Sequence, residues 1–257
     1  MSKISRKAVI TGSSKGIGKA IAERFAQENI DIYLLASNEK NLQKTTFELK
    51  SKFKVNIYYH ASDLKTKSGC ESAIQAIENE FTDFDTLIFS AGATKSGDFL
   101  EQPIEDFEDG FALKFYSAVR LSKAFWPTLS KNKGWIVSIN GAMSHSPDPF
   151  FMVGGAVNAA FLNFTKALSK RGVVDGVNVN SINPGMTSTG RLITIIQNNA
   201  EREGVSYADA EKNALKNLGL DRFSTPEEVA ELTYFLCDPK VRHLTGTEIN
   251  LDGGKKT

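Results

Sequence analysis

Apolar residues along this chain switch between two spacings. Seven short apolar runs read as strands: "KAVIT" (7–11), "IYLLA" (32–36), "VNIYYHA" (55–61), "DTLIFSAG" (85–92), "GWIVSIN" (134–140), "VNVNSINPG" (177–185) and "GTEINLDGG" (246–254). Between them apolar residues recur at helical spacing. Ile17, Ile21 and Phe25 line one side of Gly16 to Glu28, and Asn38 caps a polar helix running to about Lys52. Further helices are predicted over Gly69 to Phe81, from near Pro103 to Phe125 as one long element, and over 154–170, with two more after the sixth strand. Strands separated by ten or more helical residues pair in parallel through crossover helices. Their mostly apolar runs fit a sheet covered on both faces. The pattern predicts a single doubly wound α/β domain over 1–257, with about seven parallel strands and helices on both faces.

The first strand runs into "TGSSKGIG", Thr11 to Gly18, which opens the first helix. In that position Gly12 permits a tight turn, Gly16 lets backbone N–H groups approach a pyrophosphate, and Gly18 lets the helix pack on the sheet. Strand, glycine turn and helix together point to a Rossmann-type dinucleotide site. Ser14, Lys15 and Ile17 complete the loop and belong to the same candidate surface. An acid at the end of the second strand grips the ribose hydroxyls of NAD and repels the extra phosphate of NADP. Here that position is Ala36, followed by Ser37 and Asn38, and Lys15 adds a cation nearby. NADP is therefore favoured over NAD.

Charge narrows the remaining classes. With 31 basic and 30 acidic side chains, the net charge of +1 gives no electrostatic case for nucleic acid or an anionic membrane. There is no apolar run of about eighteen residues to span a bilayer. The start, "MSKISRKAVITG", has no apolar signal core, so a cytoplasmic location is the expectation. Cys70 and Cys237 read as free thiols, and His60, His145 and His243 lack metal-ligand spacing, so no metal is expected.

The T-G-x-x-x-G-x-G spacing resembles the short-chain dehydrogenase/reductase family, and the resemblance covers nearly the whole chain. Asp63, with Leu64 after it, matches the family's adenine-contacting acid. "SAGA" (90–93), with Ala91 and Gly92, matches its "NAG" segment. "NPGMTST" (183–189), with Pro184, Gly185, Thr187 and Thr189, matches its P-G-x-x-x-T loop. "RFSTPEEVAELTYFL" (222–236) and the last strand match its C-terminal end. The resemblance implies a cofactor contact at each of these loops.

It also implies a serine, a tyrosine and a lysine that handle the substrate oxygen and its proton, with an asparagine on the preceding long helix. Laid on this chain, the pattern gives Gly141 for the serine, Gly154 for the tyrosine, Asn158 for the lysine and Lys114 for the asparagine. All four differ. The 13 residues from Gly141 to Gly154 keep the family's spacing, and no tyrosine here has a lysine four residues later. Tyr116 with Arg120 comes nearest, but precedes the serine-bearing strand.

Four side chains are candidates to substitute. Lys114 is the sharpest: with small residues around it, its stem can reach the vacated space and stabilise an oxyanion, bind an acidic substrate or act as a proton donor. A structural ion pair or a solvent-facing charge is its plainer role. His145 lies in the loop after the fifth strand, beside the pocket entrance, and an ordinary loop histidine is its plainer role. Among the serines, Ser138 is expected to face the sheet packing, and Ser144 lies three residues past the family position.

Residues 186–220 form the segment where the family carries its substrate lid. Within it "GRLITIIQNNAEREG" sets Leu192, Ile195 and Ile196 on one side, either covering an apolar substrate or packing on the protein, and Arg191 could meet an acidic group. The family's habit of pairing its long helices implies a homodimer or homotetramer. Two functions are carried forward: an NADP(H)-binding oxidoreductase with an altered site acting on a small molecule, or a catalytically silent cofactor-binding module.

Overall fold

A computed structural model describes residues 6–254. The chain alternates strand and helix: β1 (Lys7–Thr11), α1 (Gly16–Gln27), β2 (Asp31–Ala36), α2 (Glu39–Lys52), β3 (Ile57–Ala61), α3 (Lys67–Glu80) and β4 (Thr86–Phe89). Next come α4 (Ile104–Gly110), α5 (Ser117–Lys131), β5 (Trp135–Ile139), α6 (Met152–Asp175) and β6 (Asn178–Pro184). The last part holds α7 (Gly190–Glu203), α8 (Tyr207–Leu218), α9 (Pro226–Leu236) and β7 (Glu248–Leu251). All seven strands pair in parallel in the order β3-β2-β1-β4-β5-β6-β7.

Strand alternation divides the core in two. Ala8, Ile10, Ile32, Leu34, Ile88 and Val137 point into a cluster with Phe25, Leu42 and Val229 of α1, α2 and α9. Val9, Tyr33, Leu35, Leu87 and Ile136 point the other way, onto Ile77, Phe125 and Phe161 of α3, α5 and α6. Cys70 and Cys237 sit buried in opposite clusters, on the two sides of the sheet, and both are free thiols. A smaller cluster joins Leu192, Ile196 and Ala200 of α7 to Ala210 of α8 and to Phe223.

The chain reverses its strand order between β1 and β4, and a crevice opens beyond the carboxyl ends of those strands. Thr11 fixes it: its Oγ1 accepts from the backbone N–H groups of Ser90 and Ala91, each at 3.1 Å.

The long helix expected from near Pro103 to Phe125 is present and runs on without a gap to Lys131, but it is not α-helical throughout. Pro103 caps α4, residues Phe111–Tyr116 wind as a π-helix, and α5 continues to Lys131. The π turn lets one helix row change direction without ending the helix. Lys114 lies within it and is buried.

Candidate active site

The glycine loop has the shape a dinucleotide needs. Gly12 has φ +67, and a Cβ there would lie 2.8 Å from the Ala91 backbone and the Ser90 carbonyl. A Cβ on Gly18 would lie 2.3 Å from the Gly12 carbonyl oxygen. Lys15 is the N-cap of α1 yet makes no side-chain cap, so the first-turn N–H groups are left for an external anion. The threonine loop approaches from the other side: the Cβ position of Gly16 is 3.4 Å from Thr189 Cγ2.

The second half of the site lies between the π segment, the end of β5 and α6. Lys114 is only 8% exposed. Its Nζ donates to the Asn140 carbonyl oxygen and to Asn158 Oδ1, both at 2.6 Å. Its stem runs over Gly92, whose Cβ position is 3.4 Å from Lys114 Cδ. Burial, with the positive charge of Arg191 adding to it, pulls the Lys114 amine down from 10.5 to about 7. The same amide explains Gly141: a Cβ there would lie 2.7 Å from Asn158 Nδ2.

At Gly154 the structure corrects the expectation of vacated space. A Cβ on Gly154 would lie 2.0 Å from Phe151 Cε1, so the Phe151 ring occupies the start of the tyrosine's path. Arg191, in the first turn of α7, reaches across the crevice. It donates through Nη2 to the Thr94 carbonyl at 2.8 Å and Thr94 Oγ1 at 3.2 Å, with Nη1 3.4 Å from the Gly92 carbonyl. Its guanidinium carbon lies 5.9 Å from the centre of the Phe151 ring.

A sequence profile described as enoyl-(acyl carrier protein) reductase matches residues 12–256. The chain belongs to the short-chain dehydrogenase/reductase family. It is 27% identical over 251 residues to the NADPH-dependent reductase BacG of Bacillus subtilis, covering 97% of each chain. It is also 27% identical over 248 residues to the 3-oxoacyl-[acyl-carrier-protein] reductase FabG of Haemophilus influenzae, covering 96% of each. Among solved structures, L-sorbose reductase from Gluconobacter frateurii, complexed with NADPH and L-sorbose, superposes with a TM-score of 0.92 at 30% identity. That match covers 98% of this chain and 97% of the other.

Within this short-chain dehydrogenase/reductase frame, the remaining candidates divide by what already holds them. Ser37 and Asp63 are exposed at the crevice side of β2 and β3. Asn38 uses its Oδ1 to cap α2 through Asn41 N at 2.9 Å. Leu64 is buried in the core, so only its backbone can face a cofactor. Pro184 and Gly185 close β6, where Gly185 N bonds to the Leu251 carbonyl at 3.0 Å. Thr187 is buried and shares a hydrogen bond with Ser224 at 2.9 Å. Thr189 caps α7 through Leu192 N.

His145 is not brought to Lys114. It pairs with Glu248 at the start of β7, where Lys166 and Asn183 also donate to the same carboxylate, at 2.6 and 2.5 Å. Burial alone would raise that carboxyl, but these donors hold it below the ordinary range. Ser138 bonds Ser181 at 2.9 Å within the sheet packing. Ser144 Oγ is buried and Tyr116 exposed, with Arg120 5.8 Å over its ring. Leu192 and Ile196 pack on α8. Among the described residues no group of three or more His, Cys, Asp or Glu is set to hold a metal, and no helix is long and apolar enough to cross a membrane.

Sequence reasoning missed two parts. The Asn140 carbonyl is a backbone atom and leaves no mark in the sequence. Phe151 belongs to no motif, and its three-residue distance from Gly154 is the one sequence signal for the contact.

Proposed function

We propose that this protein is an NADPH-dependent carbonyl reductase in which Lys114 delivers the proton that the family's tyrosine ordinarily carries. The observation that carries the reading is the pair of 2.6 Å bonds from Lys114 Nζ to Asn140 O and Asn158 Oδ1. Both partners are acceptors. A neutral amine satisfies them with two N–H bonds, and a protonated amine has a third N–H to give away. An acid near 7 is matched to reversible proton transfer at neutral pH.

The cofactor fits the residues present. Gly12, Gly16 and Gly18 would admit its pyrophosphate, and the uncapped start of α1 would bind it. Lys15 and Ser37 would face the 2′-phosphate, with no carboxylate at Ala36 to repel it, and Thr189 would face the carboxamide. When bound, the reduced nicotinamide supplies a hydride, that is two electrons and one hydrogen, and leaves as NADP⁺. The chain's own work is to orient the acceptor, hold its oxygen near Lys114 Nζ and pass the third proton to that oxygen. Water then reprotonates the amine. The segment 186–220 would cover the acceptor, with the packed apolar side of α7 turned to α8 and Arg191 turned to the pocket. Electron-poor carbonyls, conjugated enones and quinones need the least help from an acid and are the expected acceptors.

The Phe151 ring over Gly154 favours a second reading, a cofactor-binding module that turns nothing over and reports nucleotide state to a partner or to another copy of itself. One experiment separates the two. NADPH oxidation is followed with a panel of carbonyl compounds for the native chain and for Lys114→Met, with NADPH affinity measured by calorimetry. The reductase reading expects turnover that falls about 10²–10⁴-fold in Lys114→Met while NADPH still binds. Tight NADPH binding with no turnover of any acceptor by the native chain refutes it.

A further inference from the structure

Two cationic groups meet at Gly92. The stem of Lys114 lies over its Cβ position, at 3.4 Å for Cδ and 3.8 Å for Nζ, while Arg191 Nη1 approaches its carbonyl at 3.4 Å. Neither has an acidic partner among the described residues: their bonds go to carbonyl, hydroxyl and amide oxygens. On the adjoining helix, the Asp106 carboxylate is already held by Lys95 at 2.7 Å. Elsewhere the molecule pairs its cations freely, as at Lys65 with Asp109 and Arg222 with Glu228. In this crevice the two cations meet with no carboxylate bonded to either.

We infer that the pocket selects substrates bearing a carboxylate directly beside the reacting carbonyl, with Arg191 holding the carboxylate and Lys114 facing the carbonyl oxygen. This rests on the reductase reading. The separation fits, because in a 2-oxo acid the two oxygen-bearing carbons are bonded to each other, and here the two cations share a single residue as neighbour. The charge fits a carboxylate better than a phosphate dianion, since the guanidinium is the only permanent charge. Arg191 uses only part of its donor set on Gly92 and Thr94, and a guanidinium fork suits a carboxylate. Phe151 lies under the guanidinium and gives the substrate an apolar floor. An adjacent carboxyl group also makes the carbonyl more electron-poor than a simple ketone, which suits a site with no phenol. The reaction balances as 2-oxo acid plus NADPH plus H⁺ giving 2-hydroxy acid plus NADP⁺, the proton coming from Lys114.

The test uses the NADPH-loaded protein with pyruvate, 2-oxobutyrate and phenylpyruvate, each beside its methyl ester. Binding is read by calorimetry and turnover by NADPH absorbance. The acids should bind at least tenfold more tightly than their esters. Arg191→Gln should weaken each acid at least tenfold more than its ester, and Arg191→Lys should keep part of the preference. Equal binding of acid and ester, an equal loss for both in Arg191→Gln, or binding of neither would overturn the inference. Acids that bind selectively and are never reduced would leave the carboxylate-binding role of Arg191 standing and sink the reductase reading. Esters and simple ketones reduced as well as the acids would do the reverse.

Discussion

The Lys114 amine makes the stability of the fold depend on pH in a direction that can be calculated. A fall from 10.5 to about 7 corresponds to a preference of about 5 kcal/mol for the neutral amine in the native state. The sign follows from proton counts. Below pH 7 both native and unfolded chains carry the proton, and the buried charge costs its full amount. Between 7 and 10.5 the unfolded chain holds a proton that the native chain has released, so stability rises with pH. From pH 6 to pH 9 the gain is about 2–3 kcal/mol. Lys114→Met keeps an unbranched stem and removes the titration. It also leaves Asn140 O and Asn158 Oδ1 without their donor, a penalty of about 1–3 kcal/mol each that does not vary with pH. The assay is denaturant unfolding of both proteins from pH 6 to pH 9. The native-minus-variant difference should climb by about 2–3 kcal/mol across that range. A difference that is flat, or that falls with pH, would refute the burial argument and with it the proton donor. In the active protein kcat/KM should fall as pH rises through about 7, because the acid form is lost.

Two further outcomes test other parts of the site. Gly154→Tyr puts a Cβ 2.0 Å from Phe151 Cε1, and should cost about 1–3 kcal/mol by overpacking; Phe151→Ala in the same chain should recover most of it in thermal unfolding. Ala36→Asp adds a carboxylate at the end of β2 and should weaken NADPH about tenfold or more while sparing NADH, as read by calorimetry with each nucleotide.

The parts of the molecule legible in the sequence are those set by local chemistry. Strand alternation assigns Ile32 and Leu34 to one face of β2 and Tyr33 and Leu35 to the other, and the structure keeps that division. Asn38 announces α2 because its side chain bonds the third N–H beyond it. The glycine loop is legible because each glycine answers a separate steric demand. The π turn at 111–116 is different. It replaces one backbone ladder with another, and residues such as Phe111, Leu113 and Phe115 serve either ladder. His145 shows a related limit: its position after β5 suggested the pocket, yet it bonds Glu248, 103 residues away. Apolar spacing in α7 defined a face at Leu192 and Ile196, and spacing alone could not say that α8 would cover it.

We propose that the four departures implied by the family resemblance form one rearrangement and not four separate losses. On that proposal the amine that the resemblance implies on α6 and the amide it implies on the preceding helix are exchanged, giving Lys114 on the π turn and Asn158 on α6. Neither half works alone. Lysines at both 114 and 158 would set two ammonium groups against each other in a buried space. A lone Lys114 without Asn158 would lose one of its two acceptors at 2.6 Å, leaving a buried charge less than fully bonded. Asn158 in turn requires Gly141, because its Nδ2 sits 2.7 Å from where a serine Cβ would be. With the serine gone, a phenol at 154 would lack its partner on the substrate oxygen, and the Phe151 ring fills that ground instead. Asn140 Oδ1 stays buried without a partner beside it, but Lys114 Nζ itself has two acceptors at 2.6 Å, and a protonated amine keeps a third N–H to give away.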